Sequence, residues 1–150
     1  MVCGESLRTV SIHKTRKLII ILPFETFLAN YRLKKIKDEH PELKAAIMGT
    51  RRTDPYSSHL TSFTPCDPDW PPFMRVNPIL DWSYGDVWYF LRSLSLPYCE
   101  LYDRGYTSLG AADNTFPCPK LEYVDEFGRT AFHPAYKLTL ENEERDGRLV

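Results

Sequence analysis

The chain has 150 residues, 43% hydrophobic and 26% charged, with 19 basic against 20 acidic side chains. That length and composition suit one soluble domain, or most of one, with a real hydrophobic core. A net charge of −1 supplies no global field to hold nucleic acid or an acidic membrane, so neither is expected as a partner.

The longest apolar run near the N-terminus, Leu18 to Leu22, stops at Pro23. It is too short for a membrane span and lacks the small-residue cleavage site of a secretory signal. Arg8, Lys14, Arg16 and Lys17 against Glu5 give a weak mitochondrial signature, and the cytoplasm is the expected location. Residues 1–24 read as a leader of uncertain structure. Cys3, Cys66, Cys99 and Cys118 are scattered, with no CxxC and no His at ligand spacing. They read as free structural thiols in a reducing compartment.

Phe24, Phe27, Leu28 and Tyr31 recur at helical spacing and Pro41 closes the segment, which predicts a helix over Phe24–Glu39. The basic run Arg32 to Lys37 belongs on its solvated face. Ala45 to Met48 is a short apolar run, a strand after a helix, which is half of a βαβ unit. Directly after it comes Gly49-Thr50-Arg51-Arg52-Thr53-Asp54-Pro55. A strand end that opens into Gly49, two guanidiniums and an Asp-Pro turn is where open α/β sheets bind ligands. The Arg51 and Arg52 forks suit phosphate oxygens. The alternative is a surface turn with solvated charges.

Residues 55–78 hold six of the twelve prolines and show no periodicity. A loop of that length in a compact domain is usually functional or disordered, and Phe63, Trp70 and Phe73 argue against disorder. Ser83 with Asp86 three residues on resembles a capping box, and Val87, Phe90, Leu91 and Leu94 follow at helical spacing. Beyond Pro97 the pattern weakens to turns. Tyr102 to Gly110 is Gly-punctuated and rich in hydrogen-bonding groups, as either a structural turn or a ligand loop. Glu141 to Arg148 predicts a last short helix, with Arg145 and Arg148 on one face. Glu141–Arg145 and Glu144–Arg148 ion pairs would explain the same spacing as an exposed helix. His13, His40, His59 and His133 lack any partner pattern and read as structural or surface residues.

The stretches GTRRTDPY (49–56), DPDWPPFMRVNPILDW (67–82), LYDRGYTSLG (101–110), HPAY (133–136) and ENEERDGR (141–148) together resemble eukaryotic-type FAD synthase (FMN adenylyltransferase). That family belongs to the PAPS-reductase-like branch of the PP-loop ATP pyrophosphatases. The resemblance covers residues 25–150 and implies an α/β fold of the adenine-nucleotide α-hydrolase type, a parallel sheet with flanking helices. It implies transfer of AMP from Mg²⁺-bound ATP to FMN, giving FAD and pyrophosphate, with small molecules as the partners.

By the same resemblance Asp54, Arg145 and Arg148 are catalytic, and Asp67, Trp70 and Arg75 bind flavin. Gly49, Arg51 and Arg52 face phosphate or substrate; no metal ligand and no oligomeric state is assigned. On the residues alone, Asp54 could be a turn residue, Trp70 a core anchor, and Asp69 a rival to Asp67. The family's Ser-Gly-Gly-x-Asp-Ser phosphate loop has no counterpart, since the chain contains no Gly-Gly pair. The expectation is therefore an N-terminally truncated domain, missing the first strand and its loop, with little adenylyltransferase activity alone. The alternative is a non-catalytic flavin-binding or interaction fragment. Sulfonucleotide reduction fits poorly: it needs a reactive cysteine near the C-terminus in a Cys-Gly-x-His context, and the last cysteine is Cys118.

Overall fold

A computed structural model describes residues 11–13, 18–21 and 26–148, with side chains from Asn30 onward. These residues form two compact units, one ending at Trp82 and the other starting at Ser83. Phe24 and most of the leader lie outside the described residues.

The first unit is built on a five-stranded sheet, ordered β1-β2-β3-β5-β4. Its strands are β1 (Ser11–His13), β2 (Leu18–Ile21), β3 (Ala45–Met48), β4 (Phe63–Pro65) and β5 (Met74–Val76). The three central strands, β2, β3 and β5, run parallel, whereas β1 and β4 pair antiparallel at the edges. The sheet is thus mixed rather than wholly parallel. The reason is the length of the connections: β1–β2 and β4–β5 are joined by short segments, and a parallel pair needs a crossover of a dozen residues or more. Two of the strands, β1 and β2, fall within the stretch read as a leader.

Helix α1 (Thr26–Glu39) supplies the crossover from β2 to β3. Its Leu33 is buried with Leu43, Ala46 and Phe73, and Ile36, Met48, Cys66 and Trp70 pack around that cluster. Ala46 lies 1% exposed at the middle of β3, where a small side chain lets the helix approach the sheet. Lys37 leaves the solvated face assigned to it. Its ammonium lies 5.1 Å from the Phe73 ring centroid and donates to the carbonyls of Pro41 and Leu43, so it closes the C-terminal end of the helix.

The proline-rich segment holds β4 and β5, which no period revealed because each strand has three residues. Pro65 is tolerated there because β4 is an edge strand.

The second unit is organised by α2 (Tyr84–Ser93). Its Tyr84 and Trp88 are buried with Ala135, and Trp88 meets the rings of Tyr98 and Tyr102 edge-on at 5.1 and 5.3 Å. The Tyr84 hydroxyl donates to the Ala135 carbonyl at 3.0 Å; burial pushes its pKa well above the ordinary tyrosine value. A hairpin of β6 (Glu122–Val124) and β7 (Thr130–Phe132) follows, turning through Gly128 at φ +76°. Among the described residues Cys66 and Cys118 are free thiols, as expected, the first half-buried and the second buried.

The capping box forms as expected. Ser83 Oγ accepts from the Asp86 amide at 3.0 Å, and Asp86 Oδ2 accepts from the Ser83 amide at 2.9 Å. Bonds from the Ser83 hydroxyl and then the Ser83 amide hold the Asp86 carboxyl below its ordinary range. A depressed folded pKa means the contribution is present above the unfolded value and is lost as pH falls through the folded one. Ser83→Ala is expected to cost about 1 kcal/mol. Thermal melts should show that gap at neutral pH and a smaller one in acid.

Candidate active site

Strand β3 delivers the chain into the segment from Gly49 to Leu60, which folds on itself. Asp54 Oδ2 accepts from the Arg51 amide at 2.9 Å, and the Asp54 amide returns a bond to the Arg51 carbonyl at 3.1 Å. Arg51 is 7% exposed and its Nη2 lies 3.4 Å from Asp54 Oδ1. Arg52 binds outward. Its amide donates to the Leu80 carbonyl at 2.6 Å, its Nε to Asp81 Oδ1 at 2.8 Å, and its Nη1 to the carbonyls of Ser58 and Leu60. Both guanidiniums therefore engage the loop's own neighbourhood. At Gly49 an added Cβ would meet nothing within 4 Å, so packing does not demand glycine there.

This loop walls a cavity of about 390 Å³, within the range of small-molecule sites, lined among others by Thr50, Tyr56, His59, Asp67, Arg75 and Asn77. Arg75 extends from β5, with Nη2 2.9 Å from the Pro65 carbonyl and 3.5 Å from Asp67 Oδ1. Its Nε is buried without a hydrogen-bond partner, as is Asn77 Oδ1. Thus Asp67 and Arg75 share one cavity with the loop after β3. Trp70 does not line it; the indole packs on the core cluster beneath α1, and its amide closes a turn onto the Asp67 carbonyl at 2.9 Å. Cys66, next to Asp67, has its thiol pKa pushed up by burial, with Arg75 pulling the other way.

Arg145 and Arg148 lie in the second unit, and the helix expected around them is absent. Glu141–Glu143 is one 3₁₀ turn, followed by turns to an isolated bridge between Arg148 and Thr115. The spacing that would put both arginines on one helix face therefore does not apply. Close packing against other segments sets the backbone instead: an added Cβ at Gly147 would overlap the Phe116 carbonyl, and the Phe116 N–H donates to the Gly147 carbonyl at 2.8 Å.

The same packing joins two of the motifs. Thr107 Oγ1 donates to the Glu144 carbonyl at 2.7 Å, and Arg148 Nη1 reaches Ser108 Oγ at 3.5 Å. The Arg148 guanidinium lies against Gly110, where a Cβ would overlap it, and its Nε is buried without a partner. Gly110 is a seat for that guanidinium, a role no turn pattern advertises. Gly105, at φ +87°, is the C-cap of the 3₁₀ turn Glu100–Arg104, and a Cβ there would meet Phe132 Cβ at 2.5 Å.

Parallel central strands, a loop at the end of β3 and a cavity beside it define an α/β protein with a ligand-sized cavity at a strand end. The model for the phosphoadenosine phosphosulfate reductase domain matches residues 12–117, and the chain belongs to that family. It is 48% identical over 127 residues to the "Probable FAD synthase" of Caenorhabditis elegans, covering 84% of this chain and 24% of that protein. With the "Probable FAD synthase" of Schizosaccharomyces pombe it shares 45% over 114 residues, 76% of this chain and 42% of the other. The crystal structure of Candida glabrata FMN adenylyltransferase in complex with FMN and the ATP analog AMPCPP superposes with a TM-score of 0.73 at 27% identity. That match covers 84% of this chain and 57% of the other. The matched segment therefore spans about a quarter of one of these curated relatives and about two fifths of the other.

Two substitutions test the geometry. Arg52→Ala should speed amide hydrogen exchange through 57–60 while leaving β3 protected, because it removes the tether and not the sheet. Gly110→Ala should displace the guanidinium of Arg148, read as a shift of the Arg148 Nε–Hε NMR signal with that of Arg52 unmoved.

Proposed function

We propose that this chain is part of an FAD synthase, acting in transfer of AMP from ATP to FMN with release of pyrophosphate. The observation that carries the reading is the shared cavity of Asp67, Arg75 and the loop after β3, in a chain 48% identical to a "Probable FAD synthase". A planar ligand with ring N–H and carbonyl groups suits it. A carboxylate accepts from the N–H, and a guanidinium donates to carbonyl or phosphate oxygen.

No covalent protein intermediate is needed for adenylyl transfer, so orientation and charge neutralisation are the work. In this reading Asp54 orients substrate at the loop, and Arg145 and Arg148 neutralise phosphate charge. Gly49, Arg51 and Arg52 act through the loop's shape. Mg²⁺ would enter as the counter-ion of ATP; among the described residues no three His, Cys, Asp or Glu side chains converge to hold a metal of the protein's own. Localisation in the cytoplasm belongs to the same proposal.

Sulfonucleotide reduction is disfavoured by the state of Cys118. The residue is 0% exposed and its thiol donates to the Glu143 carbonyl at 3.6 Å, whereas a redox nucleophile needs access and thiolate character.

The test is flavin binding. The 150-residue chain should bind FMN, and Asp67→Ala should weaken it by about 1.5–3 kcal/mol, the usual loss for a hydrogen bond to a charged group. Unchanged affinity in that variant would remove Asp67 from the site, and no binding by the parent chain would overturn the reading. Turnover is tested separately, by placing a Ser-Gly-Gly-x-Asp-Ser loop ahead of this segment and following FAD and pyrophosphate from FMN and Mg·ATP.

A further inference from the structure

Tyr56 stands at the rim of the cavity that holds Asp67 and Arg75, and two of its properties set it apart. Its φ is +61°, the left-handed region that a bulky L-residue rarely enters. Its side chain belongs to a residue 94% exposed, so the ring is not held there by burial. The local reason for the angle is a turn. Ser57 donates its amide to the Asp54 carbonyl at 3.2 Å, which makes Asp54-Pro55-Tyr56-Ser57 a β-turn. Proline second and a left-handed third residue is the type II pattern, where glycine or asparagine normally stands. Tyrosine adds strain there and gains nothing from the protein.

The strain is maintained because the surroundings over-determine it. Asp54 is bonded to the Arg51 backbone on one side. On the other, the carbonyls of Ser58 and Leu60 are held by Arg52, which Asp81 anchors. A strained, fully exposed aromatic on a rigid loop beside a cavity is a residue kept for a ligand. Its ring is rigid, flat and cheap to immobilise, as recognition tyrosines are.

We infer that Tyr56 is a positioning and specificity residue whose ring stacks on the planar ring system of the ligand bound between Asp67 and Arg75. The inference rests on the flavin reading, so the ring system is the isoalloxazine of FMN. Asp67 and Arg75 address its polar edge, and Tyr56 covers a face. Trp70, packed on the core, is left to support the loop.

The experiment compares the 150-residue chain with Tyr56→Phe and Tyr56→Gly, titrated with FMN and with riboflavin by flavin absorbance and emission. Tyr56→Gly relieves the backbone and removes no buried surface, so its Tm should equal or exceed that of the parent chain. Its affinity should fall about tenfold, the scale of aromatic stacking, and by the same factor for riboflavin as for FMN, since the ring is common to both. Tyr56→Phe should bind within about twofold of the parent, because stacking needs the ring and not the hydroxyl. Undiminished affinity in Tyr56→Gly, with the parent chain binding FMN, would overturn the assignment and leave the flavin reading standing. A loss confined to FMN, or a fall in Tm along with affinity, would also overturn it, by assigning Tyr56 to the phosphate or to the fold. A parent chain that binds neither flavin would overturn both.

Discussion

One guanidinium, that of Arg52, bonds three acceptors on two stretches of chain at once: the carboxylate of Asp81, and the carbonyls of Ser58 and Leu60. Its own amide adds a fourth tie, to Leu80. An exposed pair such as Arg52–Asp81 is worth little by itself. Here the planar fork shares its donors between a carboxylate and two backbone acceptors, which a lysine could not reproduce. The loop after β3 consequently has one shape, and that shape walls the cavity with Asp67 and Arg75 on the other side. Its neighbour Arg51 faces inward, 7% exposed and paired with Asp54. The double arginine thus divides into an inner and an outer brace.

The second unit arrives at an ordered arginine by a different route. Arg148 is placed by contact with a glycine, Gly110, and a bond to Ser108, with the backbone fastened through Thr107 and Gly147. No helix is involved. A buried, unpartnered Nε leaves the head of the side chain partly engaged. Incomplete hydrogen bonding of a buried donor is costly.

What could be read from the amino acids follows the physics of each element. Helix α2 was readable because its signal is local: Ser83, Asp86 and the apolar positions after them lie within one turn or two of each other. Ala45–Met48 was readable as an apolar run before a glycine. β4 and β5 were not, because three residues cannot express a period of two. The sheet's antiparallel edges depend on how short connections close. The hairpin of β6 and β7 had a usable signal in Asp125 and Gly128, with the Asp125 carboxylate accepting from the amides of Phe127 and Arg129. The family resemblance assigned Asp67, Trp70 and Arg75 to one ligand; the structure places Asp67 and Arg75 3.5 Å apart and packs Trp70 against the core cluster, an arrangement that depends on side chains distant in sequence. Nor could the spacing of Arg145 and Arg148 reveal turns in place of a helix, since that segment is shaped by Phe116 and Thr115 from elsewhere in the chain. Tyr56 was inconspicuous in the sequence because its meaning lies in a torsion angle.

The tyrosines around Trp88 have an optical consequence. Tyr84, Tyr98, Tyr102 and Tyr136 each meet the indole edge-on, with ring centroids 5.1 to 6.2 Å away. Rings fixed at such distances in a chiral setting couple their transitions and give rise to near-ultraviolet dichroism, a signal that vanishes when side-chain packing loosens even if helices persist. Light absorbed by those phenols also passes readily to the indole they surround. The second unit therefore carries its own spectroscopic record of whether its core is ordered, with no label attached.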